Sequence, residues 1–450
     1  MRRANKYFKQ RPRANQTNWR AAVLALALLG VTALCADEAV QEELRELRKQ
    51  NRLLQEQLSK QQQIIDSLST KVAGIERAQL TRDEISTGDK PSGANSIVQK
   101  ISNQARVNIS GQVAAGYFKT GADGQHPHGE FRLDEARIFF DAKVWEDVYG
   151  YVEVNAMTRE GYDDGVRLGE AYIDFERVLK WNDLESLLNV RLGRFYIPFG
   201  EEYSVRYAID NPLILHSLAD FWGVDEGIEL YGSHGPVQYA VAVQNGGHSP
   251  TFEATSDKSV TARITYQPKQ WLKVSASGFR TGDLSVEEEG ISEMWFANGF
   301  FRSLGNPNTT LFHADVAEGD VEFLFSKGHL KLTGGGIRYD DNDRAANNYR
   351  DAYFYSAEGV FRFAKKFYGA ARYSQIIADK GLPLVGTGSW SEYFEEELTE
   401  NLWRLSLGLG FTPNPNLVFK IEYAFERGRE VGGDSRNHED FFGAQAALRF

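Results

Sequence analysis

Beyond residue 105, apolar and polar positions alternate along the chain with a period of two. In the segment 417–425 every second residue is apolar or aromatic, in the order Leu, Phe, Ile, Tyr, Phe. Lys420, Glu422 and Ala424 lie between them. Because successive side chains of a strand point to opposite faces, each such segment predicts a strand with one apolar and one polar face. We predict sixteen strands: 106–118, 132–145, 149–157, 166–177, 187–196, 227–233, 237–245, 258–267, 270–279, 311–326, 329–339, 352–364, 367–377, 401–412, 417–427 and 440–450.

The connections between these strands are alternately short and long. Short ones such as 234–236 and 365–366 alternate with long polar ones such as 197–226 and 280–310. Such sorting is typical of a transmembrane barrel, which has short turns on one side and long loops on the other. We therefore predict an all-β fold for residues 105–450: a sixteen-stranded antiparallel transmembrane β-barrel whose apolar face meets lipid.

A different period precedes the barrel. Apolar residues recur at intervals of four and three from Val40 to Ile75, with Asn51 at one of the seam positions. A 3.5-residue repeat keeps one face of a helix towards a partner, so residues 37–80 are predicted to form an α-helical coiled coil that self-associates. Residues 81–104 lose this period and are predicted to be a linker.

The first 36 residues have the pattern of an export signal. Seven basic residues precede or border an apolar run from Ala21 to Cys35, and no acidic residue occurs before Asp37. We expect residues 1–36 to be a signal peptide, with cleavage after Ala33 or Ala36 both open. The remaining chain would carry 44 basic and 62 acidic residues, a formal charge of −18.

The composition excludes several classes to which the protein could belong. A single cysteine excludes a disulfide scaffold and a cysteine-rich zinc site. The acidic balance argues against nucleic acid as a partner. No apolar run reaches eighteen residues, which excludes a bundle of membrane helices. We find no catalytic residues, cofactor loop or metal site, and therefore predict that the protein is not an enzyme.

One segment resembles a known family. The segment Leu192–Glu202 has the sequence Leu-Gly-Arg-Phe-Tyr-Ile-Pro-Phe-Gly-Glu-Glu, and the last predicted strand ends in Phe450. On these residues the chain, over roughly 105–450, resembles the phosphate-selective porin O/P family. The resemblance implies a trimeric bacterial outer-membrane porin whose third long loop folds into the lumen as a constriction.

The resemblance and the strand pattern together predict two sets of site residues. The third long loop should supply the pore constriction, with the candidates Glu201, Glu202, Arg206, Asp210, His216 and Asp220. The polar faces of the strands should supply a basic lumen wall, with the candidates Arg137, Arg191, Arg263, Lys273, Arg372, Arg404 and Arg449. These charges either set up a field across the lumen or are ordinary paired lumen charges. Neither the third nor the fifth long loop contains a lysine, so a phosphate filter is not predicted there.

These observations predict a channel for passive diffusion of small hydrophilic solutes or ions. The expected partners are outer-membrane lipid, further copies of the chain in a homotrimer formed through barrel and coiled coil, and the solutes themselves. The coiled coil would lie in the periplasm. The alternative is a structural tether, in which the coiled coil links the barrel to the cell wall and the barrel acts as a membrane anchor.

Overall fold

The structure is a computed structural model, and it describes residues 106–157, 166–179, 187–246, 256–286 and 308–450. The predicted signal peptide, coiled coil and linker, which together make up residues 1–104, lie outside the described residues. Among the residues that are described, no helix is long and apolar enough to cross a membrane.

The described residues form sixteen long strands, in agreement with the number predicted. They are β1 Arg106–Thr120, β2 Glu130–Trp145, β3 Val148–Met157, β4 Arg167–Phe175, β5 Asn189–Tyr196, β6 Val224–His234, β7 Val237–Gln244, β8 Ser259–Lys269, β9 Leu272–Arg280, β10 Leu311–Phe325, β11 Gly328–Asp341, β12 Arg350–Ala364, β13 Phe367–Leu382, β14 Thr399–Asn414, β15 Leu417–Glu430 and β16 Phe441–Arg449. The short elements are two-residue strands at Leu284–Ser285 and Ser435–Arg436, a 3₁₀ turn at Glu202–Val205 and a π-helical turn at Ser391–Glu396.

The sheet closes on itself. Every strand pairs antiparallel with the next, and β1 pairs with both β2 and β16. At the seam, the backbone groups of Gly111 and Phe450 exchange two hydrogen bonds of 2.9 and 3.0 Å. The C-terminal residue therefore takes part in closing the barrel, which leaves no unpaired sheet edge at this seam.

Outward-facing side chains form an apolar band around the barrel. On β11, Leu330 and Leu332 point outwards and are exposed, whereas Thr333 is buried on the inner face. Exposed aromatic side chains, such as Trp271 and Phe367, lie at or beside the short turns. This arrangement of an apolar band with aromatic residues at its border is typical of a barrel embedded in a bilayer.

The polarity of the two faces reverses towards the long loops, which the sequence pattern did not predict. On β10 the inner face carries Phe312, Ala314 and Val316, all buried, and only further along does it carry Glu318. On the outer face of the same stretch, Asp315 forms an exposed ion pair with Arg280, 3.3 Å between Oδ1 and Nη1. The inner apolar side chains are covered by long loops that fold inwards, and the outer face there is hydrated.

The long loops that precede β2, β14 and β16 pack together. Arg436 is buried and forms an ion pair with Glu439 at 2.6 Å, while its guanidinium lies 3.5 Å from the ring centre of Tyr393. It also donates hydrogen bonds to the carbonyl of Val385 and to the hydroxyl of Thr399 at 2.8 and 2.7 Å. A single buried arginine thus joins the last two long loops.

The loop between β1 and β2 joins this assembly. Gly124 pairs with Gly388 as an isolated bridge, and the Gln125 amide donates to the carbonyl of Gly386 at 3.1 Å. Three outer loops therefore form one hydrogen-bonded unit.

Candidate functional site

The third long loop, residues 197–223 and called L3 below, folds into the barrel. It leaves β5 and turns inwards at Gly200, whose φ of +69° favours glycine. The Gly200 N–H donates to the Ser277 hydroxyl on β9 at 3.1 Å. A Cβ at this position would lie 2.5 Å from a carboxylate oxygen of Glu318, so the close approach to the inner wall also requires glycine.

The stem of L3 is attached to β8 and β9 through Glu201. Its carboxylate accepts a hydrogen bond from Thr265 at 2.9 Å and pairs with the Lys273 ammonium at 2.5 Å. Arg263 donates to the Gly200 carbonyl at 3.1 Å, and its guanidinium lies 4.9 Å from the ring centre of Tyr203. Three predicted site residues, Glu201, Arg263 and Lys273, therefore meet at one point.

These contacts give a pH dependence with a defined sign. Burial raises the pKa of Glu201, but Lys273, Arg263 and Thr265 together lower it more, so that it lies below the ordinary value of 4.5. A carboxyl group with a lowered pKa stabilises the folded state above 4.5, and this contribution disappears as the pH falls through the lowered pKa.

We therefore expect Glu201→Gln to reduce the free energy of unfolding by about 1.5–3 kcal/mol at neutral pH, the range for a hydrogen bond to a charged group. The difference from the unsubstituted protein should shrink below pH 4.5. Denaturant titrations at several pH values measure it, with the exposed Glu400→Gln as the matched control. A difference that stays constant with pH would contradict this assignment.

The tip of L3 is attached to β15 by two charged side chains of opposite sign. The Lys420 ammonium donates to the carbonyls of Ala208, Asn211 and Leu213 at 2.6, 3.2 and 2.8 Å. Two residues further on, the Glu422 carboxylate accepts hydrogen bonds from the backbone N–H groups of residues 214 and 215. Both side chains are buried, and together they bind the loop backbone through its donors and its acceptors.

Two arginines of the predicted basic wall also bind L3. Arg372 on β13 donates to the carbonyl of Leu215 at 2.8 Å and pairs with Glu358. Arg404 on β14 donates to the carbonyl of His216 at 3.0 Å and pairs with Glu426 at 2.5 Å. Both arginines are buried, and their guanidinium groups donate hydrogen bonds to the backbone of the loop. A similar contact lies nearer the short turns, where Arg449 pairs with Asp210 of the loop.

Within L3, the remaining predicted site residues contact one another. Arg206 and Asp220 form a buried ion pair, and the Arg206 guanidinium lies 4.2 Å from the ring centre of Trp222. His216 Nδ1 lies 2.9 Å from the same Asp220 carboxylate. Glu202 accepts a hydrogen bond from the backbone N–H of residue 217 at 2.8 Å. These contacts make the loop a compact internal unit.

The last two predicted residues of the basic wall, Arg137 and Arg191, each lie beside aromatic rings. Arg137 on β2 pairs with Glu153 at 2.6 Å and lies 5.0 Å from the ring centre of Tyr207 in L3. The second, Arg191 on β5, pairs with Asp174 and Glu229 at 3.0 and 2.9 Å. Its guanidinium also lies between two tyrosine rings, at 4.3 and 5.0 Å from their centres. Each of these two arginines is therefore balanced by neighbouring carboxylates.

Some inner-face residues were missed at the sequence level. The inner face of β10 carries three acidic residues, Glu318, Asp320 and Glu322, which were not among the predicted site residues. Glu322 lies 3.7 Å from the Lys273 ammonium and so joins the group around the L3 stem. The alternation within the predicted strand 311–326 already places them on one face and could have identified them.

Comparison with known proteins identifies related folds. No family model matches the sequence, and no curated protein matches it. The outer membrane channel DcaP of Acinetobacter baumannii is 16% identical with a TM-score of 0.53, over 81% of this chain and 100% of that chain. A loop L8 deletion mutant of OmpT, an outer membrane protein of Vibrio cholerae, is 13% identical with a TM-score of 0.52, over 77% of this chain and 100% of that chain. The trimer form of in-vitro folded OmpT is 14% identical with a TM-score of 0.51, over 77% of this chain and 99% of that chain. At these identities the likeness concerns the fold.

Proposed function

We propose that the protein is an outer-membrane porin that allows passive diffusion of small hydrophilic solutes. The observation that carries this proposal is a closed barrel with an apolar outer face, a charged inner face and L3 fastened inside it. A closed barrel satisfies all backbone hydrogen bonds in a bilayer, and charged residues on the inner face keep the lumen hydrated. The resemblance of this fold to an outer membrane channel supports the proposal.

Single-channel recording with purified protein in planar bilayers tests it. Stepwise ohmic conductance is the expected result, and a folded protein that inserts without conductance steps would refute the proposal. Reversal potentials with phosphate against chloride then test anion selectivity. We expect little preference for phosphate, since the Lys420, Arg372 and Arg404 side chains are engaged with L3 or with carboxylates.

A bilayer location makes a separate prediction for the outer face. Leu332→Arg places a charge on the outward apolar band and should cost about 2–4 kcal/mol of unfolding free energy if the position lies near the bilayer midplane. Val431→Arg, at an exposed position in the last long loop, should change the free energy of unfolding by no more than about 0.5 kcal/mol. Denaturant unfolding in lipid vesicles measures both. Equal effects at the two positions would argue against a lipid-facing β11.

We also propose that the chain forms a homotrimer. The trimer form of OmpT has a similar fold, and the predicted coiled coil between residues 37 and 80 offers a second means of association. Cross-linking and light scattering of the purified protein give the number of copies. A monomer in mild detergent and in vesicles would refute this proposal.

The tether hypothesis rests on the five heptads of the predicted coiled coil, which a diffusion channel does not require. Deleting residues 40–80 separates the two functions. A porin should keep its conductance in this deletion, whereas a tether should lose envelope integrity, measured as leakage of periplasmic protein.

A further inference from the structure

The charges of the short turns are unevenly distributed around the barrel. In three successive turns, between β8 and β9, β10 and β11, and β12 and β13, every charged residue is a lysine. These residues, called the lysine rim below, are Lys269, Lys327, Lys365 and Lys366. By contrast, the turn between β2 and β3 contains Glu146 and Asp147. A chain with a net charge of −11 thus has one stretch of its rim that is purely basic.

The lysine rim has no counter-charge within the barrel. All four side chains are exposed, and within the part of the chain that the structure describes none of them forms an ion pair or a hydrogen bond. Lys273 and Lys420 on the inner face, by contrast, are bound by a carboxylate and by carbonyls. Like charges on turns about 10 Å apart repel one another, and a negatively charged partner at the rim relieves this repulsion.

The lysine rim adjoins aromatic side chains that point away from the barrel. Phe325, Phe363 and Phe367 are exposed on the outer face, and each lies within two residues of one of the lysines. Aromatic residues in this position mark the interface between the hydrocarbon of a bilayer and its headgroups. Because a lysine side chain can extend away from the apolar region, its ammonium group reaches the level of the lipid phosphates.

We infer that the lysine rim binds the phosphate groups of anionic phospholipids in the leaflet that faces the periplasm, and so enriches these lipids on one side of the barrel. This inference rests on the outer-membrane location in the proposed function, where the short turns face the periplasm. A lipid fits the arrangement better than an acidic protein does. The lysines follow the lipid-facing circumference from turn to turn, so separate headgroups can bind at each turn.

Quenching by labelled lipid measures the enrichment at the middle turn. A fluorophore is attached to Ser326→Cys, beside Lys327, in a Cys35→Ser background that removes the one natural cysteine. The protein is inserted into phosphatidylcholine vesicles that contain phosphatidylglycerol or phosphatidylcholine with the same nitroxide on an acyl chain, at equal mole fraction. We expect about fivefold higher local concentration of the phosphatidylglycerol, the factor that corresponds to ~1 kcal/mol per lysine at an anionic surface. In 1 M salt, where charges are screened beyond roughly 3 Å, the difference should disappear.

Variants and controls separate the effect of the lysines from that of position and total charge. Replacing all four lysines by glutamine should abolish the excess quenching, whereas replacing all four by arginine should retain it. A fluorophore at Glu146→Cys, in the turn between β2 and β3, should be quenched equally by the two lipids. Lys258→Gln combined with Arg344→Gln removes exposed positive charges on the long-loop side and should leave the excess at residue 326 unchanged.

The outcomes separate this inference from the proposed function. Excess quenching by phosphatidylglycerol that requires the lysines supports it. Equal quenching at residue 326 by the two lipids, in a protein that conducts, overturns it while the porin function stands. Equal quenching together with lysine-dependent binding to isolated cell wall would also overturn it, since the cell wall would then be the partner. A protein that does not insert into vesicles contradicts the proposed location, and this inference fails with it.

Discussion

Replacing Lys420 by methionine is expected to widen the proposed channel, with a higher single-channel conductance and a larger size-exclusion limit. The Lys420 ammonium donates to three carbonyls of L3, and methionine offers no donor. Each carbonyl left unpaired in a buried site costs about 1–3 kcal/mol. The tip of the loop should therefore leave β15 and become mobile within the lumen, which also predicts noisier open-channel current. Planar-bilayer recording and swelling of liposomes in sugars of increasing size measure these effects.

A second lysine on the inner face provides the matched control. Lys143 on β2 is exposed near a short turn, where its ammonium lies 5.4 Å from the ring centre of Tyr149. Lys143→Met removes the same charge and leaves L3 attached, so conductance and exclusion limit should change little. If folded Lys420→Met had the conductance, noise and exclusion limit of the control, the anchoring role of Lys420 would be wrong.

The strands could be predicted from the sequence because the requirement that fixes them is local. Within the apolar band that surrounds the barrel, every outward-facing residue must be apolar. This requirement imposes a period of two on each strand separately. Their ends could not be predicted in the same way. The apolar pattern of β15 ends near residue 427, but the strand continues to Glu430. Beyond the apolar band, pairing continues through contacts such as Arg429 with Glu400 at 3.0 Å, which leave no periodic signature.

The candidate site was only partly predictable, for a related reason. Alternation places Lys420 and Arg372 on the inner face, and the structure agrees. What each side chain contacts depends on the path of L3, whose residues precede Lys420 by 207 to 212 positions and Arg372 by 157 to 161. No local pattern specifies that a lysine will meet three carbonyls. The buried apolar residues on the inner face of β10 were unpredicted for the same reason, since they are explained only by the loops that cover them.

The outer loops contain the second site at which a single change should have a large effect. Arg436 and Glu439 are both fully buried, and the arginine joins loop segments some 50 positions apart in sequence. Removing one partner of a buried ion pair leaves the other charge uncompensated, which typically costs about 3–5 kcal/mol. An exposed pair is worth only about 0–1 kcal/mol. Loss of the buried Arg436 should therefore destabilise the outer loops far more than loss of Arg429, whose ion pair with Glu400 at the end of β15 is exposed.

We expect Arg436→Met to open the assembly of outer loops, so that added protease cleaves residues 383–398 and 431–440 much faster than in the unsubstituted protein, while the barrel strands stay protected. Arg429→Met is the matched control, because the ion pair of Arg429 with Glu400 is exposed, and the cleavage rate of this variant should stay close to that of the unsubstituted protein.

Adding Glu439→Gln to Arg436→Met removes the uncompensated carboxylate and should recover part of the protection. Cleavage rates that are equal in the Arg436 and Arg429 variants would show that the buried pair does not hold these loops together. A double variant cleaved as fast as Arg436→Met would instead mean that the lost hydrogen bonds to the Val385 carbonyl and the Thr399 hydroxyl, rather than the unpaired charge, account for the opening.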